Sequence, residues 1–306
     1  MQRSLQAVTD ELRRLKVSGV KTVSVADESV AALRRAIANP GSRRPEIETP
    51  APAAPAAMAA PAIKPYTPPP PAIRHPAPAH IPVPPTAPFT LPAGDKPARL
   101  AALRAIVLGD PVCAANVRPG KKIVVGTGSL DAKIFFVGEA PGAEEEVQGE
   151  PFVGPAGQLL TKMIGAMGLK REEVYIGNIM NWRPQMPVDA GGVQYGNRPP
   201  TEDELRHCLP YLLAQIEVVQ PALLVALGST AAQGLLGSGT FKTLGEIRGQ
   251  WREFAGRPLM VTYHPSYILR SQSNRSKRMI WEDLLQVMER AALPIAEKQR
   301  GFFLEK

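Results

Sequence analysis

The chain has 306 residues and a formal net charge of +8. It has no run of about 20 apolar residues that would span a bilayer, and its two cysteines, Cys113 and Cys208, exclude a disulfide framework. The basic surplus points to a polyanionic partner, of which nucleic acid is the commonest.

The opening stretch MQRSLQAVTDELRRLK is amphipathic and lacks the apolar core of a signal peptide. A soluble protein of a reducing compartment is therefore expected, without membrane attachment. Leu5, Val8, Leu12 and Leu15 recur at helical spacing. Asp27 is placed to cap a second helix with Val30, Leu33 and Ile37 on one face. Residues 1–38 are thus a short helical segment, too small for a core of its own. Of the 33 prolines, 19 fall between Pro40 and Pro97. That density marks residues 39–97 as a Pro/Ala-rich linker, because proline fixes φ and lacks an amide donor. It reads as an extended spacer or as an arm that binds a protein partner. The remaining residues, 98–306, suffice for one full core.

From there helices and strands alternate. A helix is predicted over 97–108 and a buried strand over Ala132–Val137, ending at Gly138. A helix follows over about 155–167, then a strand over Val174–Ile179. Thr201 to Val219 reads as a strong helix, with a threonine cap and acids in its first turn. Ala222–Leu227 is a third strand, ending in Gly228-Ser229-Thr230 at the start of another helix. Pro258–Thr262 is a fourth strand, just before His264, and a last helix covers about 274–292. This alternation predicts a parallel sheet of four strands with helices on both faces, the α/β/α sandwich class. Ligands then bind beyond the carboxyl ends of the strands. The polar and Gly/Pro-rich clusters fall at those ends: GEAPG after the first strand, Asn178 at the second, GST after the third and HPS after the fourth.

Gly138-Glu139-Ala140-Pro141-Gly142 is a rigid loop whose amides can face a ligand oxygen. Glu139 places a carboxylate at the strand end. Phe152, between Pro151 and Gly154, offers a ring for stacking on a planar ligand or for the core. Together with His264-Pro265-Ser266-Tyr267-Ile268-Leu269-Arg270, this segment resembles the motifs of the uracil-DNA glycosylase superfamily, and most closely its family 4 branch. YIGNIMNWRP and NRPPTEDELRHCLP resemble the family as well, over about residues 110–290.

The resemblance implies a monofunctional uracil-DNA glycosylase, a hydrolase of base excision repair that flips uracil out of DNA and leaves an abasic site. It implies that Phe152 stacks on the uracil, that Asn178 bonds its edge, and that His264 donates to O2 of the leaving base. Glu139 would orient water or stabilise the cationic sugar. Gly138, Ala140, Pro141, Gly142 and Asn197 would complete the base pocket. Pro265, Ser266, Tyr267, Leu269, Arg270, Arg275 and Lys277 would face DNA, with Arg278 as a further phosphate contact and Tyr267, Ile268 or Leu269 as the wedge that fills the space left by the flipped base. The chain would act on uracil-containing DNA as a bacterial, cytoplasmic monomer, with any protein partner held by the N-terminal arm.

Two departures stand out. Where the best-known branch of the superfamily has an aspartate after the glutamate, this chain has Ala140. Family 4 members usually carry a [4Fe–4S] cluster on four cysteines. Here Cys113 and Cys208 match two of those positions, while Asp110 and Trp182 occupy the others. No cluster, metal or other cofactor is expected. A protein of the same fold that binds uracil or abasic DNA with little turnover is the alternative. An unrelated nucleotide-binding enzyme is disfavoured, because the chain lacks both G-x-G-x-x-G after its first strand and a P-loop.

Overall fold

The computed structural model describes residues 83–189 and 191–304. The predicted helical segment at 1–38 and the linker over 39–82 lie outside the described residues.

Ten helices and six strands follow in order: α1 (Lys96–Gly109), α2 (Pro111–Ala115), β1 (Thr127–Gly128), β2 (Ile134–Gly138), α3 (Ala143–Gln148), α4 (Pro155–Ala166), β3 (Tyr175–Asn178), α5 (Glu202–Val219), β4 (Leu223–Leu227), α6 (Ser229–Leu236), α7 (Leu244–Ile247), β5 (Trp251–Phe254), β6 (Arg257–Thr262), α8 (Ser266–Arg270), α9 (Asn274–Arg290) and α10 (Glu297–Arg300). The sheet order is β1-β3-β2-β4-β6-β5. The four central strands are parallel, as predicted. The sheet itself is not purely parallel or four-stranded: β1 and β5 add antiparallel edges. β1 is two residues long, and β5 has half-buried ends around two exposed residues, so neither carries the continuous apolar run that marks the inner strands.

Side chains of β2 alternate between two cores. Ile134 and Phe136 pack with Leu160 and Ile164 of α4 and with Ile280, Leu284 and Val287 of α9. Phe135 and Val137 pack with Leu212 and Ile216 of α5 and Ala231 and Ala232 of α6. The period of two on a sheet covered on both faces makes every position of β2 apolar. A third core joins α1, α2 and α5 around Leu103, Cys113, Trp182, Cys208 and Tyr211. Residues 83–92, placed in the linker by composition, lie against it. Phe89 packs on Tyr211 with ring centroids 5.4 Å apart and planes tilted by 32°, and Thr86 Oγ1 donates to the His207 carbonyl.

One buried carboxylate ties α9 to the sheet. Asp283 accepts 2.6 Å hydrogen bonds from Thr262 Oγ1, at the end of β6, and from Arg248 Nη2. Asp283→Ala leaves a partly buried guanidinium and a buried hydroxyl without their acceptor, which should cost about 3 kcal/mol of stability. Chemical denaturation of the two proteins checks this, and a loss under about 1 kcal/mol would refute it.

Candidate active site

The carboxyl ends of β2, β3 and β6 open on a cavity of about 460 Å³. Its walls include Ala140, Gly142, Glu144 and Glu145 from the first loop and α3, and Phe152, Gly154 and Pro155 from the turn into α4. Asn178, Arg183 and Asn197 form another side, and His264, Ser266, Leu269 and Arg270 the last. Residues far apart in the chain therefore meet at one place, as the pattern of strand ends predicts.

Close approach explains Gly138. A Cβ there would lie 2.3 Å from Asn178 Oδ1 and 2.5 Å from the Phe152 ring. Both side chains are held against bare backbone, so Gly138→Ala should push them apart and lower turnover at least tenfold while leaving the sheet intact. Single-turnover assays beside circular dichroism test this, and wild-type activity in the alanine variant would show that the contact is dispensable.

Phe152 sits in the left-handed region at φ 55°, which costs a bulky side chain roughly 1–2 kcal/mol. The ring is 6% exposed and lies 5.6 Å from the His264 ring, tilted by 34°. Gly157 permits this turn, since a Cβ there would meet the Phe152 carbonyl at 1.8 Å. Phe152 is thus both a core residue and part of the cavity wall.

Glu145 holds the two loops together. Its Oε2 accepts from the Gly142 amide, and its Oε1 accepts from the amides of Val153 and Gly154, all at 3.0 Å. The neighbouring Glu146 pairs with Arg183 at 2.9 Å, and Arg183 Nε donates to Asn197 Oδ1 at 2.8 Å. From the sequence, Glu145 and Glu146 are weaker candidates for the missing base, or caps of the following helix, and Arg183 has no role. Their spacing reveals no contact, because the partners lie in other loops. Glu144, also absent from the sequence-based set, lines the cavity.

Asn178 is buried, and its Oδ1 has no hydrogen-bond partner. An unpaired buried acceptor is costly unless a ligand satisfies it. Glu139 stands elsewhere than predicted: its carboxylate bonds Thr230, at the start of α6, and it does not line the cavity. Burial raises its pKa against the lowering effect of that hydrogen bond.

The Ser266 amide donates to His264 Nδ1 at 3.2 Å, and Ser266 Oγ lies 2.8 Å from the same nitrogen. An amide can only donate, so Nδ1 is the acceptor and the ring proton is on Nε2. Burial first, and then Arg270, push the His264 pKa down to about 4. At neutral pH the ring is therefore an uncharged Nε2–H donor.

Of the predicted DNA-facing residues, Ser266, Leu269 and Arg270 border the cavity, and Arg275 is exposed. Pro265 is buried. The Ser266 hydroxyl is engaged by His264 and by Arg270 Nη1 at 3.1 Å. Tyr267 stacks on Tyr263 with centroids 4.3 Å apart, and Ile268 is buried, so among the three wedge candidates Leu269 is the exposed one. Lys277 lies along an apolar groove with Trp281 and Phe303. Arg278 is tied to Glu282 and to the carbonyls of Arg300 and Phe302.

The cysteine-equivalent positions lie apart from the cavity. Cys113, Trp182 and Cys208 are fully buried in the third core. Asp110 accepts from the Cys113 amide at 2.7 Å and from the Tyr211 hydroxyl at 2.6 Å.

Comparison with known proteins agrees with this geometry. The chain is 42% identical over 163 residues to a type-4 uracil-DNA glycosylase of Thermotoga maritima, covering 53% of this chain and 79% of that relative. It is 41% identical over 152 residues to a type-4 uracil-DNA glycosylase of Archaeoglobus fulgidus, covering 48% and 71%. A type-5 uracil-DNA glycosylase of Pyrobaculum aerophilum is 29% identical over 170 residues, covering 54% and 73%. Residues 125–285 match the signature of the uracil DNA glycosylase superfamily. With that match spanning the sheet and all the strand-end loops around the cavity, this chain belongs to the uracil-DNA glycosylase superfamily.

Proposed function

We infer that the chain is a uracil-DNA glycosylase, a hydrolase that cleaves the N-glycosidic bond of uracil in DNA. The observation that carries this is the meeting of Asn178, Phe152 and His264 around a cavity large enough for a nucleobase. Type-4 uracil-DNA glycosylases at 41–42% identity support it.

The target nucleotide leaves the stack and its base enters the cavity. Phe152 packs against one face of the ring. The unpaired Asn178 Oδ1 accepts from uracil N3–H while Nδ2 donates to O4. Cytosine presents an acceptor at N3 and a donor at C4, so both contacts become repulsive. As the glycosidic bond breaks, negative charge collects on O2. The His264 Nε2–H, held by Ser266 behind it, is the preorganised donor for that oxygen. A neutral donor suits the task because it keeps its proton, and the uracil departs as the anion.

Ala140 offers no base, and Glu139 faces Thr230. Water addition therefore depends on the cationic sugar formed as the base departs, with Glu144, a carboxylate on the cavity wall not engaged by the loop amides that Glu145 holds, guiding the water. Gly138, Ala140, Pro141, Gly142 and Asn197 shape the pocket. Leu269 fills the vacated stack. Arg270 and Arg275 contact phosphates, Lys277 adds charge nearby, and Pro265, Ser266 and Tyr267 hold this loop in shape.

The residues present do not fit a cubane iron–sulfur cluster. Two of the four thiolates are lacking, and the indole of Trp182 fills the third position as core. No step of the reaction uses such a group. Residues 98–306, with residues 83–97 packed against them, form the catalytic domain of a cytoplasmic monomer, and the residues before 83 act as a tether for a protein partner. Among the described residues no helix is long and apolar enough to cross a membrane.

The test is cleavage of end-labelled oligonucleotides bearing one uracil, single-stranded and in U·G and U·A duplexes, with thymine in a control strand. Alkali-labile sites at uracil and none at thymine are expected. Binding to uracil or abasic DNA with no cleavage of any strand would overturn the enzyme reading in favour of a binding protein.

A further inference from the structure

His207 lies at the start of α5 beside Cys208, far from the candidate active site in function and unused by the reaction above. Its Nδ1 is 2.7 Å from the Pro84 carbonyl oxygen, which can only accept, so Nδ1 carries a proton. The other nitrogen, Nε2, has no hydrogen-bond partner although the residue is 1% exposed. It points at Asp110 Oδ1, 3.3 Å away, without hydrogen-bond geometry. The nitrogen and the carboxylate oxygen face each other across a gap that a shared cation would bridge. The Cys113 sulfur completes the set: ligand atoms of Asp110, Cys113 and His207 all lie within 4.8 Å of one another. The Cys208 thiol lies against that of Cys113.

We propose that Asp110, Cys113 and His207 form a site for a single zinc ion, in place of an iron–sulfur cluster, with Cys208, whose thiol adjoins that of Cys113, turning in as the fourth ligand. Ligands of one tetrahedral zinc, at about 2.0–2.3 Å from the metal, stand roughly 3.5 Å apart, which this cluster reaches with small side-chain adjustments. One imidazole, one carboxylate and thiolates are the donors that borderline-soft zinc accepts. The surrounding contacts also match. A ligating histidine normally donates its second N–H to a carbonyl or carboxylate, as His207 does to Pro84. The carboxylate of Asp110 is oriented by Tyr211 Oη and by the Cys113 amide. Binding releases the thiol protons to solvent, and the ion links α2 to α5, with the segment at 83–91 held behind His207 through Pro84. Its role is structural. Asp110, Cys113, His207 and Cys208 do not line the catalytic cavity.

The proposal rests on the cluster-less reading above and is tested apart from it. The full-length chain is purified without chelator, and metal and acid-labile sulfide are measured. About one zinc per chain, with neither iron nor sulfide, is expected. After chelation, cobalt titration should give a thiolate-to-cobalt charge-transfer band that saturates at one equivalent. His207→Gln and Cys113→Ser should each weaken zinc at least tenfold in competition with a chromophoric chelator, and zinc should raise the Tm of the wild type alone. A wild type that retains no zinc, shows no cobalt–thiolate band and gains no Tm would overturn the proposal and leave His207 and Asp110 as an ordinary ion pair. Iron and sulfide in equal amounts, about four of each, would overturn both this proposal and the cluster-less reading.

Discussion

His264→Ala should lower single-turnover excision of uracil about 10²–10³-fold, with little change in affinity for uracil-containing DNA. Removal of one preorganised donor to a developing anion costs about 2.7–4 kcal/mol of transition-state stabilisation. The stacking and amide contacts that hold the flipped base remain. An unchanged rate would mean that His264 makes no such bond. A fall in affinity alone would assign it to DNA binding.

The protonation state adds a pH signature. Burial and Arg270 hold the His264 pKa at about 4, against an ordinary 6.5. Over about pH 5.5–8 the ring stays neutral, so the rate should show no inflection from this histidine near 6.5. An inflection there that vanishes in His264→Gln would show an imidazolium donor instead. Stability follows the same shift. Between pH 6.5 and about 4 the unfolded chain binds a proton at this residue that the folded chain refuses. Folding stability should therefore fall as pH is lowered through that window, by up to about 3 kcal/mol, and His264→Gln should flatten the fall.

Glu145→Ala should cost about 3 kcal/mol of stability and lower excision about 100-fold. Three backbone amides lose a charged acceptor, and hydrogen bonds to charged groups contribute about 1.5–3 kcal/mol each, less when water can replace the lost partner. The larger consequence concerns Phe152. Its left-handed backbone at φ 55° is strained, and the amides just after it are held by Glu145. Without that anchor the turn should relax and the ring should leave Gly138. Thermal unfolding and single-turnover kinetics on the same protein, below its Tm, separate the two effects. A variant that loses stability but keeps its rate would show that the turn holds its shape without Glu145.

Much of this was written along the chain. The four parallel strands are legible because a strand covered on both faces is apolar at every position, as β2 and β4 are. The capped start of α5 is legible because Thr201 accepts from the Glu204 amide three residues on. Asn178, Phe152 and His264 are legible because parallel strands all end on one edge, so the residues after them converge. Other features were not legible, and for one reason: each depends on a partner distant in sequence. The edge strands β1 and β5 have mixed patterns and are strands only because a neighbour pairs with them. Glu139 turns to Thr230, while Glu145 binds three amides in two loops. Tyr267 stacks on Tyr263. The orphaned nitrogen of His207 faces Asp110, 97 positions earlier in the chain, and that apposition exists only once α5 has packed against α2. Periodicity and strand-end chemistry are local properties and travel with the sequence. The direction of a side chain at a crowded site is set by whichever long-range packing wins, and only the tertiary structure decides it.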